Sequence, residues 1–181
     1  MKCVLLALAL VCGIQAIAIP QAMKNLDISK MAGTWHTVAM ATIDPALLDT
    51  ETTPVHVFKK LSVTPQANME ITMNQREMNK CVEKKFWAQK TAVPAKFQIN
   101  SLEQNEMFVM DTDYQDFLMI CMEKSTAPEQ TLACQCLIKT LTPTNPTNDK
   151  ALEKCNKAIE TMPMYNKIFL SPSQLTEQCP F

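Results

Sequence analysis

The 181-residue chain carries 17 basic and 18 acidic residues, and hydrophobic types make up 47% of it. That suits one domain with a single sizeable core. The sequence has no basic stripe for nucleic acid and no polybasic patch for anionic lipid, so charge excludes two partner classes and names none.

At the N-terminus, Lys2, an apolar run from Val4 to Cys12 and the small residues Ala16 and Ala18 read as a secretory signal over 1–16 or 1–18. The run is too short to cross a bilayer, and no later apolar stretch is longer, so no membrane insertion is expected of the mature chain. Residues 17–181 then form one domain, with 16 basic against 18 acidic residues. Losing the signal also removes Gly13, which leaves Gly33 as the only glycine. In a chain so poor in glycine, one kept just before Trp35 points to a close backbone approach, against the plainer reading of an ordinary helix-to-strand turn. Six cysteines remain: Cys81, Cys121, Cys134, Cys136, Cys155 and Cys179. An even number in an oxidising compartment reads as up to three disulfides, and spacing alone does not choose the pairing. Zinc is the weaker reading, because Cys134-x-Cys136 lacks the usual ligand spacing and only His36 and His56 could assist. No metal or cofactor is expected.

A helical turn from Asp27 to Met31 leads into a strand at Trp35, and strands then follow to about Thr140. Val55 to Phe58 is β-rich, between Pro54 and Pro65. Met69 to Met73 alternates strictly, Lys84 to Ala88 less cleanly, and Phe97 to Asn100 alternates again. Met107 to Met110 is apolar throughout, as for a strand buried on both faces. Phe117 to Met122 and Leu132 to Leu141 complete the run. Pro143 and Pro146 then exclude helix and central strand. Asn148 or Asp149 caps a helix running to about Met162, with Leu152, Cys155, Ile159 and Met162 on one stripe. A short strand, Lys167 to Leu170, precedes the tail. The expected fold is all-β with one flanking α-helix: an eight-stranded antiparallel up-and-down barrel forming a calyx, plus a short ninth strand.

Five segments together carry a specific resemblance over essentially the whole chain. They are Met23 to Ile28, Ala32-Gly33-Thr34-Trp35, Asp111-Thr112-Asp113-Tyr114, Leu132 to Leu137 and Glu177-Gln178-Cys179. The chain resembles the lipocalin family, and within it the milk-protein branch. The resemblance implies a secreted carrier whose calyx takes retinoids such as retinol or long-chain fatty acids. It implies bridges Cys81–Cys179 and Cys121–Cys134, and a basic residue, here Lys139, over Trp35 at the closed end of the barrel. Gly33, Trp35 and Lys139 are then structural. For Cys136 and Cys155 the choice is a third bridge, pinning helix to barrel, or two buried thiols. The family also implies a weak homodimer through Lys167 to Leu170 and the loop near Asp49. His56 stands near that loop, where the branch carries arginine.

Alternation selects the inner face: Val55, Val57, Leu61, Met69, Ile71, Met73, Phe86, Phe97, Ile99, Met107, Val109, Leu118, Ile120 and Met122. Singly each is ordinary core; as a set they line a calyx, and the 13 methionines of the chain suit an adaptable one. At the rim the resemblance gives Lys84 as the partner of a ligand carboxylate, with neutral Gln75 beside it in place of a second lysine. The family's gating glutamate falls on Gln104, with Glu103 and Glu106 nearby, so a pH latch is expected to be weakened. No nucleophile elbow or paired-carboxylate motif points to catalysis. Asp111-x-Asp113 is at most half a calcium loop. The competing functions are an interaction protein acting on cells and a milk nutritional protein. For the first, no Asn-x-Ser/Thr acceptor is present, since Pro146 blocks Asn145 and Leu102 replaces the hydroxyl after Asn100-Ser101.

Overall fold

The alternating segments become strands because each has one apolar and one polar face, and the sheet that pairs them rolls until the apolar faces meet. The structure, a computed structural model, describes residues 21–43, 56–100, 105–124, 131–139, 149–162, 168–170 and 179. Eight strands form the wall. They are β1 (Gly33–Thr42), β2 (Val57–Val63), β3 (Met69–Glu77), β4 (Lys80–Lys90), β5 (Lys96–Ile99), β6 (Asn105–Thr112), β7 (Phe117–Lys124) and β8 (Thr131–Lys139). Each pairs antiparallel with the next, β8 returns to β1, and β1 closes on β2 through Gly33↔Leu61 and Thr34↔Lys60. The helix α1 (Asp149–Glu160) lies outside, and β9 (Ile168–Leu170) pairs with the far end of β1. The backbone of β9 is the one described part of the expected dimer contact. Residues 1–18, Asp49, Val55, Glu103, Gln104, Asn148 and Lys167 lie outside the described residues.

Two apolar layers result. One fills the barrel, with Met31, Trp35, Phe58, Ile71, Phe97 and Val109 among its members. The other lies between the wall and α1, and joins Val38, Phe108, Met110, Met119 and Ile138 to Ala151, Cys155 and Ile159 of the helix. This explains the unbroken apolar run of β6: Met107 and Val109 enter the barrel while Phe108 and Met110 turn outward under the helix. Among the described residues, β3 to β5 contribute nothing to this outer layer, and their alternation stays legible.

One end of the barrel is plugged. Asp27 accepts the Ser29 N–H at 3.2 Å and starts a 3₁₀ turn, Ile28–Met31. Met31 in turn offers its carbonyl to the Trp35 indole N–H at 2.8 Å. Lys139, opposite Trp35 in the β1–β8 ladder, holds its ammonium 5.2 Å from the indole centroid. A contact of this kind contributes about 1 kcal/mol. Gly33 makes it possible: its φ is +149°, and a Cβ there would come within 2.6 Å of the Lys139 side chain. The close approach expected at Gly33 is therefore real, and the neighbour is a cation.

The β6–β7 turn ties the same end to the helix. One Asp113 oxygen accepts the N–H groups of Gln115, Asp116 and Phe117 at 3.1, 2.9 and 2.9 Å. Its other oxygen takes the Lys154 ammonium of α1 at 2.5 Å. Both oxygens thus serve the fold. Burial raises the Asp113 pKa, but Lys154 and the three N–H groups outweigh it and hold the carboxyl at about 2, against 3.8 ordinarily.

The six cysteines beyond residue 18 are all bridged: Cys81–Cys179, Cys121–Cys134 and Cys136–Cys155. The third joins β8 to the inward stripe of α1, with Cα atoms 5.6 Å apart. It settles the choice left open for those two residues. Leu152, on the expected stripe, is only partly buried, and Ala151 replaces it as a fully buried member.

Two outcomes follow. A depressed folded-state pKa adds stability above the unfolded value, and that stability is lost as pH falls. Between about pH 4 and 2 the wild-type urea midpoint should therefore fall more steeply than that of Asp113→Asn. Cys136 and Cys155 are 19 residues apart, and the loop-entropy model assigns such a bridge about 3 kcal/mol. Cys136→Ser/Cys155→Ser should lose about that much by urea denaturation, and thiol titration of the unfolded, unreduced mature wild type should find no reactive thiol.

Candidate ligand site in the barrel interior

The inner surface is built by the strand period. Leu61, Met69, Ile71, Met73, Phe86, Phe97, Ile99, Met107, Val109, Leu118 and Ile120 all belong to the interior layer, and Met122 packs against it partly buried. These are the residues expected from alternation. Val57 departs from it: it is buried but lies outside the interior layer, where Phe58 stands instead. The cause is a bulge in β2 between Phe58 and Lys60, which reverses the facing of everything before it. Phe58 pairs with Met73, and Val57 pairs with Asn74 on the other face.

The same reversal turns His56 inward. Its ring meets Phe86 edge-on, with centroids 5.6 Å apart and planes at 73°. It is therefore an interior residue and carries no argument about a dimer surface. Burial lowers its pKa first and the Lys84 charge lowers it further, against a smaller upward pull from Gln75 and Glu77, so the imidazole is neutral at pH 7.

What holds β2 in this position is a buried relay. Beyond Thr34↔Lys60 the β1–β2 ladder ends, and two backbone groups of β2 are left to side chains. Thr37 accepts the Phe58 N–H at 3.0 Å and donates its hydroxyl hydrogen to Gln135 Oε1 at 2.8 Å. Gln135 Nε2 then donates to the His56 carbonyl at 3.1 Å. Thr37 and Gln135 are both buried. Neither was marked by the sequence. Their partners are distant in the chain, and nothing local announces them.

The remaining polar groups gather at the end opposite Trp35. Antiparallel pairing places the start of β2, the end of β3 and the start of β4 there. Gln75 follows Met69, Ile71 and Met73 on the inner face of β3 and is only 7% exposed. Its Oε1 is buried and meets no hydrogen-bond donor. Leaving such an acceptor unsatisfied costs about 1–3 kcal/mol. Lys84, the expected carboxylate partner, pairs in the ladder with Met73, and its ammonium lies 2.5 Å from the Glu77 carboxylate. The ammonium is half-exposed and already has an anion. Lys85, one residue on, faces outward and meets Glu70 at 3.5 Å, as strand alternation requires.

A closed antiparallel barrel of eight strands, plugged at one end and lined with apolar side chains, has the build of a small-molecule binder. The chain matches the Lipocalin / cytosolic fatty-acid binding protein family over residues 32–175, and it belongs to the lipocalin family, whose members bind small hydrophobic ligands. Within the family it is 47% identical to Beta-lactoglobulin-2 of Canis lupus familiaris over 164 residues, covering 90% of this chain and 99% of that one. It is 39% identical to Beta-lactoglobulin-1 of Equus asinus over 162 residues, 89% of this chain and 98% of that one. It is 40% identical to Glycodelin of Homo sapiens over 184 aligned residues, with both chains fully covered.

Replacing Thr37 by Val keeps the shape but removes the hydroxyl, which strands the Phe58 N–H and Gln135 Oε1. Two buried groups without partners should cost about 2–4 kcal/mol. Urea denaturation of Thr37→Val measures this, and Thr37→Ser should recover most of the loss.

Proposed function

We propose that the mature chain, freed of residues 1–16 or 1–18, is a secreted, non-enzymatic carrier of small hydrophobic molecules. Retinoids such as retinol and long-chain fatty acids are the ligand classes that suit its interior. The observation that carries this reading is the distribution of polarity. The interior layer is apolar from Trp35 up to Met73 and Phe86 apart from the mutually paired Thr37 and Gln135, and the polar side chains His56, Gln75 and Lys84 come together at one end. That is the arrangement an alkyl or polyene tail with one polar terminus requires. Three disulfides support an oxidising destination.

Burying about 15 methylenes at about 0.8 kcal/mol each gives roughly 12 kcal/mol gross. Immobilising the ligand removes several of these, which leaves a Kd near the micromolar range. Such affinity suits carriage and release better than tight capture.

Delipidated protein should bind retinol one to one with a Kd of about 1 μM, read from tryptophan quenching, and palmitate should compete. Filling the interior with Met73→Trp should abolish binding, with near-UV circular dichroism checking the fold. Trp87→Ala, on the exposed outer face of β4, should leave binding unchanged. Loss with the second variant and not the first would place the ligand outside the barrel.

A further inference from the structure

We infer that Gln75 and His56 form a head-group site that selects apolar ligands ending in a hydroxyl over those ending in a carboxylate. The inference rests on the carrier reading above and specifies what the polar end of the interior accepts.

The first observation is the orphaned acceptor. Gln75 Oε1 is buried on the inner face of β3 and receives no hydrogen bond. Folding does not need an amide there, since Met73 and Ile71 on the same face pack without one. The Gln75 amide lies beside the His56 ring and offsets part of its downward pKa shift, yet its Oε1 has no donor at hydrogen-bonding geometry. An acceptor in this state calls for a ligand that brings a hydrogen. A hydroxyl does so and also offers lone pairs to a neighbouring N–H. A carboxylate at neutral pH brings only acceptors.

The second observation is charge. Among the described residues, the cation that acts on the inner-face His56 is Lys84, and its ammonium is already bound by Glu77 at 2.5 Å. His56 is neutral at pH 7, held so by burial and by Lys84. The cluster is therefore close to electroneutral, with one fixed anion on its rim. An incoming carboxylate must displace Glu77 or sit beside it, and like charges at such range repel. A hydroxyl pays neither cost. His56 adds shape as well as a donor, because its edge-on packing against Phe86 fixes the ring plane at the level where the apolar lining ends.

The test compares 1-dodecanol with dodecanoate, which share a chain length and differ in the head group. Each displaces the neutral fluorophore N-phenyl-1-naphthylamine from delipidated full-length mature protein at pH 7.5. The alcohol should bind about tenfold more tightly, the worth of one hydrogen bond to a buried group. Gln75→Met, of similar volume, should weaken dodecanol about tenfold and leave dodecanoate within twofold. Glu77→Gln, on the exposed rim, should strengthen dodecanoate and leave dodecanol unchanged. Wild-type protein that binds dodecanoate at least as tightly as dodecanol would overturn the inference alone. Equal weakening of both ligands by Gln75→Met would do the same. If neither ligand displaced the fluorophore, the carrier reading would fall and this inference with it.

Discussion

The seam between β1 and β2 is the constraint on which the barrel depends. Every other neighbouring pair in the wall is joined by a longer ladder, but here the sheet closes through Gly33↔Leu61 and Thr34↔Lys60 alone. Past that point the curvature pulls the strands apart, and Thr37 with Gln135 takes over from the backbone. Polar side chains in an apolar interior are costly unless fully paired, and these are paired. The relay has a second effect. By binding the Phe58 N–H and the His56 carbonyl it holds the bulged start of β2, and so decides that His56 and Phe58 look inward.

Gly33 and Lys139 set the opposite end. The glycine's lack of a Cβ lets the lysine lie flat over Trp35, and the stacked pair seals the barrel while the Trp35 N–H is satisfied by Met31. Elsewhere the chain does without glycine even where the backbone would favour it. Ala67, Met78, Asn79, Ala95 and Tyr114 all adopt positive φ. Such positions cost about 1–2 kcal/mol for residues with a Cβ, whereas Gly33 combines a φ of +149° with a Lys139 side chain that a Cβ would displace from its place over Trp35.

The barrel, its inner lining from β3 to β7 and the position of α1 were legible because they rest on period and composition, which are local. Met69, Ile71 and Met73 announced a half-buried strand with no knowledge of its neighbours. Val57 failed for a physical reason: a bulge inserts one residue, and parity counted from Leu61 backwards is then wrong. His56 lies on the same side of that bulge and faces inward with Phe58. The Cys136–Cys155 bridge was one of two open readings, because helix position decides it. Glu77 beside Lys84 is an i, i+7 contact across a hairpin whose turn, at Met78 and Asn79, has no usual turn signature. The Thr37–Gln135 relay joins residues 98 apart and had no sequence signal.

The wall is unequal around its circumference. Strands β6, β7, β8 and β1 are covered on both faces, and two of the three disulfides lie in or on them. Among the described residues, strands β2 to β5 contribute nothing to the outer layer and carry a single cross-link, at Cys81. One half of the wall is thus backed by the helix and two bridges, and the other half has neither. On the carrier reading, the half of the wall without that backing is the part that yields first to a bulky ligand.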